Sequence, residues 1–353
     1  MNTVLVNPPS KTYEVKIGSG LLAKAGELAA SVHTPANAVI VTDSTVDKLY
    51  SETLTKSLKA AGYKVFETAI PAGEQSKNAE ILINVLNFMA ECRLTRADTV
   101  FALGGGVVGD LAGLAAVLFM RGIGLVQLPT TLLAAVDSSV GGKTAIDLKT
   151  GKNLIGAFYQ PDLVICDTDT LQTLPQSEFS NGCAEVIKYG FIRDASVFDR
   201  LLSDPFDTGA VITRCVEIKR DVVCADERDT GERQLLNFGH TFGHAVEQRS
   251  DFTIPHGSAV AVGMALMTKA AVKKGLCDPD CLVILKTLLT RYNLPFSTSF
   301  SEDELFDTVL TDKKRLSDQL TLVVPRKPGR CDLMKLPIAE VRKFLHLGLE
   351  GTL

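Results

Sequence analysis

Short apolar runs alternate with amphipathic stretches through the first half of the chain. The run AVIVTD from Ala38 predicts a strand, residues 46–61 predict a helix, and YKVFETAI predicts a second strand. Within 78–91, apolar residues recur at helical spacing, namely at Ile81, Leu82, Val85, Leu86 and Met89. The run DTVFALGGG adds a strand that ends in three glycines. This alternation of strand and helix is typical of a parallel sheet.

The pattern changes near residue 179. The strand LVICD at 163–167 and the polar turn TDTLQTLP close the first half, and long amphipathic stretches follow at 211–224, 234–249 and 258–275. Few strand-like runs remain after this point. The sequence therefore predicts an α/β domain over residues 1–178 and an all-α domain over residues 179–353.

Composition agrees with two globular domains. At 353 residues the chain exceeds the size at which one hydrophobic core usually keeps growing. Hydrophobic residues make up 46% and charged residues 22%, close to ordinary globular usage. The net charge of −4 provides no general attraction for nucleic acid or for an anionic membrane, so an anionic substrate would have to be held by local cations.

The cysteines and apolar runs indicate the compartment. Eight cysteines are scattered without a CxxC pair, which favours a reduced, cytoplasmic setting. No apolar run approaches the ~18 residues that a membrane helix needs, and the first residues do not resemble a secretory leader. We expect neither membrane insertion nor export.

The glycines at 104–106, within LGGGVVGD, lie between a predicted strand and a predicted helix. Glycine lets the backbone approach a pyrophosphate, and the helix N-terminus supplies N–H donors, so a Rossmann-like dinucleotide site is indicated. The spacing is not a regular GxGxxG, and a tight turn alone would also require glycine. Asp43 is a candidate for a ribose hydroxyl or, equally, for a helix N-cap. Glu74 and Lys77 are candidates for the same nucleotide or for a solvated loop.

A polar stretch rich in glycine, VDSSVGGKTAIDLKTGKN, follows at 136–153. Lysines combined with hydroxyls and flexible backbone suit a phosphate or carboxylate, so this stretch predicts a site for an anionic small molecule. Arg121 is a further candidate cation. The alternative is a solvated loop with incidental charges.

Three of the five histidines, His240, His244 and His256, fall within 17 positions. His240 and His244 share one helical face, and neutral imidazoles with one carboxylate suit zinc while leaving a coordination position open. Spacing alone assigns both of these histidines to the metal, with Glu247 or Glu185 as the carboxylate. A histidine beside a metal can also relay protons, and one on an apolar face can simply belong to the core.

Together these motifs resemble the 3-dehydroquinate synthase family. The resemblance rests on GGGVVGD, MRG, LPTTLLAAVDSSVGGKTAID, GKNLIGAFYQP, AEVIKYG and LNFGHTFGHAVE followed by HG, in family order from about residue 39 to 264. It implies a homodimer that binds NAD and a divalent metal, zinc or cobalt, with the active site in a cleft between the domains. The implied reaction converts 3-deoxy-D-arabino-heptulosonate 7-phosphate to 3-dehydroquinate and phosphate, and NAD is regenerated.

The resemblance also implies a role for individual residues. The implied metal ligands are Glu185, His240 and His256, which moves His244 to substrate binding or proton relay. The implied substrate contacts are Asp137, Lys143, Asn153, Lys188, Lys219, Arg233, Asn237, Lys313 (or Lys314 beside it) and, from the partner subunit, Arg121. The implied NAD contacts are Asp43, Glu74, Lys77, Gly105, Gly106, Val107, Asp110, Thr130, Thr131, Lys152, Thr170 and Thr173.

Three positions depart from the family pattern, and three other functions compete. Asp229 stands where glutamate is usual, Thr45 where asparagine is common, and Asp147 where asparagine is usual.

A sister cyclase acting on sedoheptulose 7-phosphate or glucose 6-phosphate would share the NAD and metal motifs. A polyol dehydrogenase would consume NAD, and a nucleotide-binding interaction protein would lack catalysis. Retention of Arg233, Asn237 and His244 favours the dehydroquinate activity.

Overall fold

The chain forms two compact units in the computed structural model, which describes residues 1–313 and 318–351, with only the backbone for 311–313. The first unit comprises Met1–Pro175 and Cys215–Arg228, and the second comprises Gln176–Arg214 and Asp229–Leu353. The sequence predicts a single boundary after residue 178. In the structure, the segment Cys215–Arg228 belongs to the first unit and not, as predicted, to the second. In this segment Lys219 donates to the backbone carbonyl of Asp137, and Glu227 accepts from the side chain of Gln160, both in the first unit.

The first unit is built on a seven-stranded sheet. Its spatial order is β1-β2-β9-β6-β5-β3-β4, antiparallel between β1 and β2 and parallel elsewhere. The strands of this sheet are β1 (Asn2–Val6), β2 (Tyr13–Gly18), β3 (Asn37–Asp43), β4 (Lys64–Ile70), β5 (Thr99–Gly104), β6 (Gly124–Pro129) and β9 (Leu163–Asp167). A separate antiparallel hairpin consists of β7 (Lys143–Leu148) and β8 (Gly151–Phe158). The predicted α/β fold is confirmed.

Helices cover both faces of this sheet. They are α1 (Ala25–Ala30), α2 (Glu52–Ala60), α3 (Ala79–Glu91) and α4 (Gly106–Leu118). Alternate residues of β3 enter different cores: Val39 packs with α3 and α4, whereas Ile40 packs with α1 and α2. A strand buried on both faces reads as the continuous apolar run found in the sequence. Short segments of 3₁₀ or π helix connect these elements at Leu22–Lys24, Asp47–Ser51, Glu74–Ser76, Phe119–Arg121, Ala134–Ser138 and Thr168–Thr173.

The second unit is helical. Its helices are α5 (Gln176–Ile192), α6 (Ser196–Leu202), the first part of α7 (Thr208–Ala225), α8 (His240–Arg249), α9 (His256–Lys273), α10 (Asp280–Arg291), α11 (Glu302–Lys313) and α12 (Ile338–Leu349). A 3₁₀ segment, Glu232–Asn237, precedes α8. The hairpin of β10 (Gln319–Lys327) and β11 (Arg330–Pro337) is an addition that the sequence pattern does not predict.

Helix α9 forms the centre of the second unit and is buried along nearly its whole length. Its Gly263 lies so close to α8 that a Cβ there would be 1.9 Å from the Gly239 carbonyl oxygen. This crossing places the first turns of α8 and α9 side by side. Within the described part of the chain, no helix combines the length and the apolar character that crossing a membrane would require.

Candidate active site

The three glycines form a turn between β5 and α4. Gly105 is the N-cap of α4, and no side chain of the described residues caps that end of the helix. Its first backbone N–H groups are therefore available to an anion. A Cβ on Gly105 would lie 3.0 Å from Cγ2 of Thr131, and one on Gly106 would lie 3.2 Å from Oγ of Ser138. The candidate dinucleotide turn is thus lined closely by the segment that follows β6.

Two threonines after β6 face this turn. The backbone N–H of Thr130 donates to the Gly104 carbonyl at 3.0 Å, and its buried hydroxyl has no hydrogen-bond partner among the described residues. The Thr131 hydroxyl accepts a hydrogen bond from the Ala134 N–H at 3.1 Å. The Thr130 hydroxyl is therefore a candidate contact for a bound ligand.

Asp43 behaves as a cap at the end of β3. Its Oδ1 accepts hydrogen bonds from the backbone N–H groups of Thr45 at 2.8 Å and Val46 at 3.0 Å. Of the two roles open from the sequence, the geometry accounts for the N-cap directly. Thr170 and Thr173 lie near this end of the sheet, where the hydroxyl of Tyr50 bonds to both.

Lys77 links the predicted NAD contacts with a predicted substrate contact. Its Nζ lies 2.6 Å from Oδ2 of Asp110, in the first turns of α4, and 2.5 Å from Oδ1 of Asn153 on β8. Burial lowers the pKa of Lys77, but the carboxylates of Asp110 and Glu74 outweigh it and raise the pKa. Glu74 in turn holds Lys152 at 3.1 Å. These residues therefore form one charged cluster.

Asp147, one of the departures from the family pattern, supports this cluster. Its Oδ1 accepts the Asn153 N–H at 2.7 Å, and its own N–H donates to the Lys77 carbonyl at 2.7 Å. Burial raises the pKa of Asp147, although the Asn153 hydrogen bond opposes this. The carboxylate thus stabilises the backbone on both sides of the cluster.

The remaining predicted substrate contacts of the first unit differ in their exposure. Lys219 of α7 is buried, donates to the Asp137 carbonyl at 2.6 Å and contacts the Asp137 carboxylate. Lys143 is exposed at the start of β7. Arg121 is exposed in the turn after α4, with φ +67°.

In the second unit, a carboxylate and two imidazoles converge from three helices. Glu185 projects from α5, whereas His240 and His256 begin α8 and α9. The Nε2 atoms of His240 and His256 lie 3.7 Å and 3.6 Å from Oε1 of Glu185. One ligand atom from each of the three lies within 4.8 Å of the others. This spacing and chemistry suit a divalent cation with open coordination positions.

The opposite nitrogen of each imidazole is held by a second partner. Nδ1 of His240 donates to the Phe238 carbonyl at 3.2 Å, and Nδ1 of His256 lies 3.4 Å from Oε2 of Glu247. Such bonds fix each ring so that Nε2 faces Glu185. Glu247, an alternative ligand from the sequence, thus lies behind His256 and on the other side of it from Glu185.

Burial dominates the electrostatics of this cluster. Desolvation lowers the pKa of His240 to about 3, although Glu185 opposes the shift, so this imidazole is neutral. Desolvation also acts on His256, but the hydrogen bonds and charges of Glu185 and Glu247 outweigh it and raise its pKa to about 9. The two carboxylates therefore favour positive charge at His256, and a metal ion bound at Nε2 would take the place of that proton.

The other predicted residues of the second unit surround this cluster. Lys188 lies one turn after Glu185, buried to 1% exposure, and its Nζ contacts Oε2 of that carboxylate. The His244 ring is 5.3 Å from the His240 ring and 5.9 Å from the His256 ring, and it is more exposed than either. One ligand atom from each of His244, Glu247 and His256 also lies within 4.8 Å of the others, so these three form a second group that could hold a metal.

Arg233 and Asn237 lie on the 3₁₀ segment before α8. Arg233 is buried to 1% exposure, whereas Asn237 is exposed. The sequence predicts one helix over 234–249, but Gly239 with φ +82° separates the 3₁₀ segment from α8. The chain therefore turns between Asn237 and His240. The backbone of Lys313 ends α11, its side chain is outside the described part, and Lys314 lies outside the described residues.

Sequence reasoning did not find Gln160 and Glu227, which support the turn before Lys143. Gln160 closes the GKNLIGAFYQP motif, and Glu227 belongs to DERDTGER. Gln160 Nε2 donates to Oε1 of Glu227 at 2.8 Å, although the two residues are 67 positions apart in the chain. Their presence in motifs was the only sequence signal, because nothing local indicates that they meet.

Comparison with known families matches both halves of the chain. The family model for the N-terminal domain of 3-dehydroquinate synthase matches residues 67–181, and that for the C-terminal domain matches residues 182–315. A 3-dehydroquinate synthase of Enterococcus faecalis strain V583 is 44% identical over 349 residues, 97% of this chain and 98% of the relative. One from Clostridium kluyveri is 41% identical over 354 residues, 98% of each chain.

Solved structures of sugar-phosphate cyclases have a similar fold. A 2-deoxy-scyllo-inosose synthase complexed with carbaglucose-6-phosphate, NAD⁺ and Co²⁺ is 25% identical, with a TM-score of 0.88 over 99% of this chain and 100% of that chain. A 2-epi-5-epi-valiolone synthase from Streptomyces hygroscopicus with NAD⁺ and Zn²⁺ bound is 28% identical, with a TM-score of 0.88 over 98% of both chains. A butanol dehydrogenase from Thermotoga maritima, 17% identical with a TM-score of 0.68 over 99% of both chains, shares the fold alone.

Proposed function

Because the chain belongs to the 3-dehydroquinate synthase family, we infer that it converts 3-deoxy-D-arabino-heptulosonate 7-phosphate into 3-dehydroquinate and phosphate. The observation that carries this inference is 44% identity to a 3-dehydroquinate synthase along 97% of the chain. The reaction is a carbon–oxygen lyase step coupled to ring closure, with no net change in NAD. It belongs to the biosynthesis of aromatic amino acids.

The proposed metal ligands are Glu185, His240 and His256. One carboxylate with two neutral imidazole nitrogens is a donor set that zinc and cobalt accept, and it leaves room for substrate oxygens. The orienting contacts at both Nδ1 atoms support this choice over the second group, because they leave each Nε2 on the Glu185 side. When bound, the metal polarises the substrate hydroxyl and the derived ketone, while NAD accepts and later returns a hydride.

We place the NAD diphosphate at the turn of Gly105, Gly106 and Val107. The uncapped N-terminus of α4 supplies N–H donors and the positive end of its dipole. The hydroxyls of Thr130 and Thr131 and the charged cluster around Lys77 adjoin the same turn or its helix. Lys77 neutralises Asp110 close to a site for an anion, and this limits electrostatic repulsion.

The cations proposed to bind substrate are Lys143, Lys188, Lys219 and Arg233. Each brings positive charge to a molecule that carries both a carboxylate and a phosphate. Lys188, Lys219 and Arg233 are buried, and buried cations interact more strongly with an anion than solvated ones. Oxidation next to the reacting C–H makes its proton more acidic. We propose that the leaving phosphate takes this proton, with these cations stabilising its charge.

His244 is proposed to relay protons or to orient the substrate. It is the most exposed of the three clustered histidines, and its ring faces both proposed imidazole ligands. An imidazole in that position can exchange a proton with a substrate hydroxyl, provided that it is not itself a ligand. Asp137, Asn153 and Asn237 are proposed as hydrogen-bonding partners of substrate hydroxyls.

We further propose a homodimer in the cytoplasm. Leu118 and Met120, beside Arg121, and Leu154 and Phe158 on β8 are large apolar side chains that are exposed in the single chain, and a partner subunit would cover them. An Arg121 contributed to the partner's site would explain an exposed arginine in a left-handed backbone turn. The cytoplasmic assignment is supported by the eight cysteines, none of which forms a disulfide within the described part of the chain.

The deciding experiment incubates the purified chain with the heptulosonate phosphate, NAD and Zn²⁺ or Co²⁺. We expect stoichiometric phosphate release and 3-dehydroquinate without accumulation of NADH. Sedoheptulose 7-phosphate and glucose 6-phosphate serve as matched substrates for the sister cyclases, and glycerol serves for a polyol dehydrogenase. Failure to release phosphate with metal bound, or NADH formed in proportion to product, would contradict the proposal.

A further inference from the structure

The segment Cys215–Arg228 contacts both ends of the stretch 137–143 in the first unit. At the first end, Lys219 Nζ donates to the Asp137 carbonyl at 2.6 Å and contacts its carboxylate. At the second end, Glu227 reaches Gly142 through the side chain of Gln160. The proposed role of Asp137 and Lys219 accounts for the first contact but not for the second.

Gly142 and the amide of Gln160 are packed face to face. Gly142 has φ +67°, a conformation that favours glycine, and a Cβ there would lie 2.8 Å from Cδ of Gln160. The same Cβ would lie 2.9 Å from its Oε1 and 3.0 Å from its Nε2. The orientation of the Gln160 amide therefore limits the path of the backbone at the residue just before Lys143.

The carboxylate of Glu227 accepts a hydrogen bond from that amide and so holds it in place. Its Oε1 accepts the Gln160 Nε2–H at 2.8 Å and also contacts the Ser10 hydroxyl, while its Oε2 accepts the Ser10 N–H at 3.2 Å. Burial raises the pKa of Glu227, but the hydrogen bonds from Ser10 and Gln160 outweigh it and lower the pKa. Only a carboxylate can accept from these three donors at once.

Two tyrosines hold the backbone of the same turn. The hydroxyl of Tyr13 accepts the Gly141 N–H at 3.1 Å, and the N–H of Tyr159 donates to the Gly142 carbonyl at 2.7 Å. Lys143 follows directly and begins β7. A long, exposed side chain has many rotamers, so the backbone from which it starts determines which volume its ammonium group can reach.

We propose that Glu227 is a positioning residue that, through Gln160, fixes the backbone at Gly142 and so directs Lys143 toward its anionic ligand. The inference rests on the proposed function insofar as Lys143 binds substrate. Glu227 itself does not need to touch the substrate. Its contribution is to keep the Gln160 amide in one orientation. A neutral side chain at position 227 cannot do this, because Ser10 already donates two hydrogen bonds to the same group.

The first test uses the substitution Glu227→Gln. Glutamine preserves the shape of the side chain but cannot accept all three hydrogen bonds. We expect kcat/KM for the heptulosonate phosphate to fall about ten- to a hundredfold, as for a misplaced catalytic group. Metal content should stay at the wild-type value. The rate at which trace acetic anhydride acetylates Lys143, measured by mass spectrometry, should also change, whereas that of the exposed Lys24 should not. This second readout does not need an active enzyme.

The matched control is Asp98→Asn, which alters a buried carboxylate of the same unit that accepts the Asn37 N–H at 2.8 Å. It should lower stability while Lys143 acetylation remains at the wild-type rate. Gln160→Glu alone places two carboxylates next to each other and should lower kcat/KM. Gln160→Glu combined with Glu227→Gln restores the hydrogen bond with donor and acceptor exchanged, and it should recover part of the lost kcat/KM. The pair also provides a folded variant if Glu227→Gln does not fold.

Two results would overturn the proposal. One is a Glu227→Gln protein with wild-type kcat/KM and wild-type Lys143 acetylation. The other is the absence of any recovery in the exchanged pair relative to Gln160→Glu. If the wild-type chain releases no phosphate, the proposed function fails, and the acetylation rates alone then decide whether Glu227 positions Lys143.

Discussion

Oε2 of Glu247 lies 3.4 Å from Nδ1 of His256, while Nε2 of the same ring lies 3.6 Å from Oε1 of Glu185. One imidazole thus stands between two carboxylates that meet opposite nitrogens. Because a metal and an orienting partner must occupy different ring nitrogens, the arrangement assigns the two carboxylates different roles. We therefore propose that Glu185 faces the metal and that Glu247 orients the imidazole of His256.

The first prediction concerns this orienting role. Glu247→Gln should weaken zinc binding by about 10- to 100-fold, the usual cost of removing a partner of a metal-bound histidine. Competition with a chromogenic chelator measures the affinity. The control is Glu304→Gln, an exposed carboxylate on α11 that pairs with Arg249. Equal zinc affinity in the Glu247→Gln and wild-type proteins would contradict the assignment.

The second prediction separates stability from metal binding at Glu185. Glu185→Gln removes the charge that the buried Lys188 contacts, and breaking a buried pair typically costs about 3–5 kcal/mol. We expect a lower free energy of unfolding in urea even in the presence of a chelator. Lys188→Met in the same background should recover part of the loss, because it removes the unpaired charge. An unchanged free energy of unfolding for Glu185→Gln in chelator would show that the pair of Glu185 and Lys188 does not contribute to stability.

The third prediction concerns metal removal. Chelation of the purified protein should abolish phosphate release, and Zn²⁺ or Co²⁺ should restore it. NAD binding, followed by quenching of reduced-cofactor fluorescence or by calorimetry, should persist in the apo protein, since the proposed nucleotide turn lies in the other unit. Phosphate release that continues without metal, verified by elemental analysis, would argue against the proposed role of the three ligands.

The fourth prediction tests the glycine turn. Gly105→Ala would place a methyl group 3.0 Å from Cγ2 of Thr131 in a backbone conformation that alanine can adopt. We expect the protein to fold and the Kd for NAD to rise about tenfold, equivalent to ~1.4 kcal/mol. Gly209→Ala, in an open position of α7, is the control and should leave the Kd unchanged. An unchanged Kd in Gly105→Ala would place the cofactor elsewhere.

The fifth prediction is a dependence of stability on pH through Asp162. Burial raises the pKa of this carboxyl, but the hydrogen bonds from His33 and Lys11 and the Leu125 N–H outweigh it and lower the pKa. A lowered folded-state pKa stabilises the protein above the unfolded value of about 3.9, and the contribution disappears as pH falls through the folded value.

Asp162→Asn should therefore cost about 1–3 kcal/mol at pH 7, and the difference from wild type should shrink as pH falls below about 4. Urea unfolding at a series of pH values from 7 to 3 measures it. A difference that stays constant across that range would show that the Asp162 charge does not contribute.

Local patterns predicted a large part of this molecule. The run from Ala38 became β3, because a strand buried on both faces is continuously apolar. The apolar spacing in 78–91 became α3, because a helix buries one face. The predicted helix over 234–249 was wrong for residues 234–239, because α8 begins only at His240. The positive φ at Gly239 interrupts it, and amphipathic spacing carries no signal for that interruption.

The sequence by itself determined the alternation of strand and helix in the first half, the change to helices after it and, through the run of motifs, the family. Histidine spacing also indicated that a metal-type cluster exists. Histidine spacing left open whether Glu185 or Glu247 is the carboxylate of that cluster, and the change of pattern near residue 179 assigned Cys215–Arg228 to the helical half. Only the tertiary structure decided those points. The packing of α5 against α9 brings Glu185 to an imidazole 71 positions later in the chain, and the bonds of Lys219 and Glu227 join their segment to the first unit. Contacts of this kind depend on how elements pack together, and local periodicity does not encode that packing.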